Sequence, residues 1–144
     1  MSGTKGQSIV VLTNRTTSHY MLRVQYAYTG EAPLDTEWIL FAPGDTKTIF
    51  DEVTFWTGVT AVGTVTWKVH GIRYRLADVK DNYPVSVSGK KVTTDSLQVL
   101  QKGAWTEHAL LAADDGETVF IQIEPAGVRF LSAEGAFIGD FESI

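Results

Sequence analysis

Tyr20-Met21-Leu22-Arg23-Val24-Gln25-Tyr26-Ala27-Tyr28 is the stretch that decides the fold class. Successive side chains of an extended chain point to opposite faces, so Leu22, Val24, Tyr26 and Tyr28 fall on one side and Arg23, Gln25 and Ala27 on the other. This period of two predicts a half-buried strand, greasy on one face and mixed on the other. The same alternation recurs outward in both directions, at residues 8–13, 46–50, 96–101, 119–124 and 128–141. Residues 64–69 and 72–76 read as a strand pair, with Val65, Trp67 and Val69 and then Ile72, Tyr74 and Leu76 as the apolar sets. The short link His70-Gly71 predicts a hairpin between them, Gly71 taking a positive φ.

Turn chemistry separates these segments. Ala42-Pro43-Gly44-Asp45, Asp114-Asp115-Gly116-Glu117 and Pro125-Ala126-Gly127 combine fixed-φ proline, permissive glycine and self-bonding aspartate. Strands at this spacing predict an all-β fold, a single-domain β-sandwich of mostly antiparallel strands over residues 1–144. Within residues 96–113 the run Leu110-Leu111-Ala112-Ala113 also accepts one short helix, near 106–113. Residues 128–144 read as an added C-terminal hairpin that covers a sheet edge or contacts a partner.

Composition narrows the chemistry. A chain of 144 residues can bury roughly 70% of its unfolded surface, so it needs neither disulfide nor metal to hold a core. With no cysteine, a disulfide scaffold, a Cys-ligated zinc, an iron–sulfur cluster and a thiol nucleophile are excluded. A net charge of −5 argues against general nucleic-acid binding, which needs a basic face. The only apolar run near the start, Ile9-Val10-Val11-Leu12, is too short for a signal peptide or a membrane-spanning helix. Synthesis in the cytoplasm, or release without a legible export signal, is expected, although a mature form with its leader removed would read the same.

Residues able to do chemistry are scattered. His19, His70 and His108 are the conventional bases near neutral pH, and none has metal-ligand or triad spacing. His70 in its turn and His108 in Trp105-Thr106-Glu107-His108 read as solvated imidazoles. Asp114-Asp115-Gly116-Glu117 lacks the ligand spacing of a calcium loop and reads as a solvated turn. Asn14-Arg15-Thr16 has the N-glycosylation pattern, but a turn asparagine is the better reading. No catalytic residue, metal or cofactor is expected.

Aromatic residues are the unusual feature, with four Trp and five Tyr. Trp67 alternates with core positions and is expected inside. Trp38, Trp56 and Trp105 lie beside polar loops, as does Tyr83 in Asp81-Asn82-Tyr83-Pro84, and they read as candidate recognition residues. Lys80, Lys90, Lys91 and Lys102 supply local positive charge.

The run Thr57-Gly58-Val59-Thr60-Ala61-Val62-Gly63-Thr64-Val65-Thr66-Trp67-Lys68-Val69 resembles a strand of the actinoporins and of small aegerolysin-like insecticidal toxins. Asn14-Arg15-Thr16-Thr17, the corner Tyr28-Thr29-Gly30, residues 39–50 with Pro43-Gly44-Asp45, and residues 116–123 are similar to other parts of that superfamily, which also holds fungal fruit-body lectins. The resemblance spans residues 8–124. It implies a β-sandwich that docks on membranes or glycans, with the headgroup site at Thr29, Val62 and the loop Asp78 to Tyr83. Two departures remove any implication of choline-lipid specificity: Lys80 stands in place of a loop proline, and the tyrosine cluster expected over residues 93–101 is missing. Actinoporins line their pore with a long amphipathic helix ahead of the sandwich, whereas here residues 1–7 precede the first strand. Such a pore is not expected from this chain alone, and the aegerolysin-like resemblance implies a larger pore-forming partner.

These observations together lead to the expectation of a non-enzymatic protein that binds a membrane lipid headgroup or a membrane-borne glycan. It would be a cytolysin-like defence toxin or the membrane-recognising component of a binary pore-forming toxin, acting at the target membrane. Trp56, Tyr83 and Trp105 would enter the interface, while Thr29, Asp78 and Asn82 would fix the ligand. A soluble lectin and a structural module that forms homo-oligomers through the C-terminal hairpin are the alternatives.

Overall fold

The computed structural model describes residues 4–57, 63–78, 86–87, 90–133 and 135–143. They form strands β1 (Thr4–Asn14), β2 (His19–Tyr28), β3 (Leu34–Asp35), β4 (Ile39–Phe41), β5 (Thr46–Thr57), β6 (Val65–Asp78), β7 (Ser86–Val87), β8 (Lys90–Leu100), β9 (Thr106–Glu107), β10 (Thr118–Glu124), β11 (Gly127–Ser132), β12 (Gly135–Gly139) and β13 (Phe141–Ser143). One sheet runs β12-β11-β10-β1-β5, and the other runs β13-β8-β6-β2-β3, with β4, β7 and β9 paired at its margins. The fold is all-β, a sandwich of two mostly antiparallel sheets in one domain. The exception to antiparallel pairing is β1 against β10.

The alternating stretch is β2, and Leu22, Val24, Tyr26 and Tyr28 are buried as their spacing predicts. Trp67 is fully buried at the centre. Its ring meets the edge of Tyr26 at 4.9 Å between centroids and tilts against Phe130 at 5.5 Å. Its indole N–H donates to the His108 carbonyl at 3.1 Å, so its polar end is satisfied as burial requires.

The hairpin predicted at His70-Gly71 is not there. β6 runs straight through both residues, paired with β2 in unbroken register from His19 opposite Tyr74 to Tyr28 opposite Val65. Turning at Gly71 would forfeit half of that ladder. The change of apolar parity that reads as a turn is absorbed instead by an irregularity in the pairing with β8, between Ile72 and Tyr74. Gly71 serves close approach rather than a positive φ, since a Cβ there would lie 2.7 Å from the Phe141 ring and 3.0 Å from Leu22. His70 is accordingly a half-buried strand residue, not a solvated turn residue.

Two further expectations are corrected by burial. His108 is 8% exposed, stacks on Phe130 and lies 3.1 Å from the Ser132 hydroxyl through Nε2. Asp114 is 1% exposed: its carboxylate accepts the backbone N–H groups of Leu111 and Ala133, and its carbonyl accepts the Ser8 hydroxyl. The helix anticipated near 106–113 shrinks to a single 3₁₀ turn, Ala112–Asp114, preceded by β9. Asn14 is the turn asparagine expected. It is fully buried, and its amide nitrogen donates to the carbonyls of Ser18, Phe41 and Ala42, which leaves it inaccessible to glycosylation.

The C-terminal segment is more than an added cover. β11 and β12 do form a hairpin, but β11 carries Val128 and Phe130, both fully exposed to the core and not to solvent, while β13 crosses to pair with β8 in the opposite sheet. Phe130→Ala should therefore cost about 3–5 kcal/mol in urea unfolding. Truncation after Ala126 should abolish cooperative folding; a truncated chain that unfolds as sharply as the full one would refute this role of the segment.

Candidate functional site

Two tyrosines of β2 reach across the sandwich to β5. The Tyr26 hydroxyl donates to the Thr54 carbonyl at 2.6 Å, and the Tyr28 hydroxyl to the Trp56 carbonyl at 3.5 Å. Burial, reinforced by Tyr28 and Glu31, pushes the Tyr26 phenol well above its ordinary value, so it stays neutral and keeps donating. These bonds hold the two sheets together at the end where β2 and β5 finish and β6 begins.

Two clefts open there and share Trp56. One, of about 300 Å³, is lined by Lys5, Tyr26, Glu31, Ala32, Leu34, Glu52, Thr54 and Trp56. The second, of about 400 Å³, is lined by Tyr28, Trp56, Gly63, Thr64, Val65, Glu107, Ala109 and Leu110. Aromatic walls with a few acidic groups at the rim are what a small ligand with an apolar face or a cationic end can use. Gly63 is required by this packing, because a Cβ there would fall 2.1 Å from the Tyr28 ring and hydroxyl. An apolar side chain projects from the wall of the first cleft, Leu34 being 37% exposed.

Of the residues expected to bind a ligand, Trp56 lies between the two clefts, whereas Thr29 lines neither and is bonded to Thr64 in the wall of the second. Thr29 is exposed and ties the corner after β2 to the start of β6: its hydroxyl oxygen accepts the Thr64 N–H at 3.0 Å, and its own N–H donates to the Thr64 carbonyl at 3.3 Å. Trp56 is half-buried and packs against the core. Trp105 is set apart. Its neighbour Thr106 pairs with Trp67, placing the Trp105 ring on the outer side of the β6 sheet, under the Lys68 ammonium at 4.7 Å. Val62, Asn82, Tyr83 and Lys80, and the side chains of Asp78, Lys90 and Lys91, lie outside the described residues. Sequence reasoning missed Tyr26 and Tyr28, whose alternation correctly marks them as core but does not reveal that their hydroxyl ends reach a cleft. Nothing in the order of residues announces that Glu31, Glu52 and Lys5 meet.

His108, Ser132 and Asp114 lie close enough to suggest a catalytic set, and their geometry gives another role. The Asp114 carboxylate accepts two backbone N–H groups and makes no hydrogen bond to the His108 imidazole, so it does not orient that ring as a triad acid does. The three side chains instead lock the 104–114 segment onto the β11–β12 hairpin. Among the described residues no group of three or more metal-ligating side chains comes together, and no helix is long and apolar enough to cross a membrane.

The family model described as "Up-Regulated in long-lived daf-2" matches residues 4–104, well over half of the sequence, and the chain belongs to that family. No curated protein matches it. The matched region contains Thr29, Trp56 and most of both cleft walls, whereas β10 to β13 lie beyond it.

Burial pushes the His108 imidazole below its ordinary value of 6.5, with Asp114 opposing, and burial does the same for His70. The unfolded chain therefore takes up these protons first as the pH falls, and stability is lost as the pH drops through about 6.5. The urea midpoint should decline between about pH 7 and pH 5. His108→Gln, which retains a hydrogen-bonding group facing Ser132, should flatten that decline; an unchanged slope would assign the titration elsewhere.

Proposed function

We propose that this protein is a non-enzymatic recognition protein that docks on membranes through the end of the sandwich carrying Trp56. The observation that carries this reading is that two clefts meet at one tryptophan. Tryptophan prefers the boundary where one side of the ring is apolar and the other wet, and the exposed Leu34 adds apolar surface in the wall of the first cleft. Glu31 and Glu52 outnumber Lys5 in the first cleft and Glu107 borders the second, which favours a cationic group, and an ammonium held against tryptophan and tyrosine faces gains further from their quadrupoles. The ligand class that fits is the amine-bearing headgroup of a zwitterionic lipid. The net charge of −5 disfavours a strongly anionic surface. The sequence resemblance to actinoporins and aegerolysin-like toxins over residues 8–124 prompts the same reading, in which the chain would recognise the membrane and a larger partner would perforate it.

The test is co-sedimentation with vesicles of zwitterionic lipid, with and without a panel of free sugars, reading tryptophan fluorescence alongside. Pelleting with a blue shift is expected, and Trp56→Ala should lower the partition coefficient on the order of tenfold while leaving the circular dichroism intact. Pelleting that one free sugar abolishes would replace this reading with a lectin. Equal pelleting of Trp56→Ala would remove the site assignment.

A further inference from the structure

β1 reads as a strand covered on both sides, and the structure covers only one. Val10 and Leu12 fill the core, while Ile9 and Val11, the other half of the same apolar run, face outward. β1 is also half of the parallel pair β1–β10, and parallel strands are ordinarily covered on both faces. The registers extend the outward apolar set across the sheet: Val11 lies opposite Phe120, Phe120 opposite Leu131, and Leu131 opposite Ala136. Ile9 flanks this row on one side and Ile138 on the other. Ile9, Phe120 and Ile138 are 43%, 41% and 45% exposed. The row is largely contributed by β10 to β12, beyond the region that matches the family.

Charge along β1 is polarised. At its N-terminal end Asp51 and Glu52 line a shallow hollow with Ile9 and Asp115 accepts the Gln7 N–H, so that three carboxylates outnumber the one cation there, Lys5. At the other end stand Arg15, bonded to Gln122, and Arg129, bonded to Glu124. Two such faces packed with their β1 strands antiparallel place each acidic end over the other's basic end. A two-fold axis lying in the interface and crossing the strands produces that arrangement.

We propose that the outer face of the β12-β11-β10-β1-β5 sheet binds a second copy of this chain, face to face, with Phe120 near the centre and the strands of the two copies antiparallel. Five strands span roughly 20 Å, a face toward the small end of stable interfaces, so the dimer should be a weak one, with Kd on the order of micromolar. Phe120, Leu131 and Ile138 line neither of the Trp56 clefts, although Glu52 borders both the first cleft and the hollow beside Ile9.

Sedimentation velocity of the full chain from about 1 to about 200 µM tests this. A concentration-dependent dimer is expected. Phe120→Lys and Ile138→Lys, both at exposed positions, should each raise Kd on the order of tenfold or more with the melting temperature little changed, and added salt should weaken the wild-type dimer. Trp56→Ala should leave it intact. A monomer throughout the range overturns the proposal, as does a dimer indifferent to whichever of the two lysine variants remains folded. A dimer that salt strengthens overturns the antiparallel arrangement.

Discussion

The indole of Trp67 is the point on which the rest of the structure depends. It sits on the central strand of one sheet, touches Tyr26 beside it and Phe130 in the sheet opposite, and bonds through Nε1 to the carbonyl of His108. One side chain thus connects both layers and the long connection that leads from one to the other. Burying so large a ring stabilises the fold only if its N–H finds a partner and its faces find close neighbours. That requirement explains why His108 and Phe130, far away in sequence, are also buried. His108 stacks on Phe130 and its backbone accepts the indole proton, so the 104–114 segment is held by the same contact that centres the core.

From that centre the two ends of the sandwich differ in a way that bears on function. Toward the end where β2 and β5 finish, tyrosine hydroxyls rather than aliphatic contacts join the sheets, and hydroxyl-to-carbonyl bonds leave space beside them. Trp56 fills part of that space and leaves a cleft on either side. The strand register also puts Lys5 beside Trp56 and Gln7 beside Thr54. The family matched over residues 4–104 takes in β1 to β8 and with them most of both cleft walls, while the apolar outer row of the β12-β11-β10-β1-β5 sheet owes most of its residues to the C-terminal strands.

Much of this was legible in the order of residues. Period-two alternation marked β2, the later part of β1, the first residues of β5, most of β10 and the burial of Trp67, because in a two-layer sandwich one face of each strand must be apolar; β1 itself begins at Thr4, ahead of the expected residue 8, and β5 runs on from residue 50 to Thr57. Gly44 and Gly116 have positive φ in the turns that their neighbours predicted. The failures share a cause. Gly71 was read as a turn because glycine and a parity change usually mean one, yet the long ladder with β2 outweighs that local preference and a bulge accommodates the shift. His108 and Asp114 were read as solvated because their neighbours are polar, although the backbone N–H groups that Asp114 satisfies come from residues as distant as Ala133.

The sequence by itself determined the fold class, the strand faces and most of the turns, since these depend on the alternation and backbone preferences of residues close together in the chain. Tertiary structure decided the rest: that β1 pairs in parallel with β10, that the C-terminal strands enter the core and cross to the second sheet, that Trp56 stands between two clefts while Trp105 stands apart, and that an apolar row crosses an outer face. Each of these depends on which strands are neighbours and in what register. That choice is made by packing around Trp67, between residues that the chain itself keeps far apart.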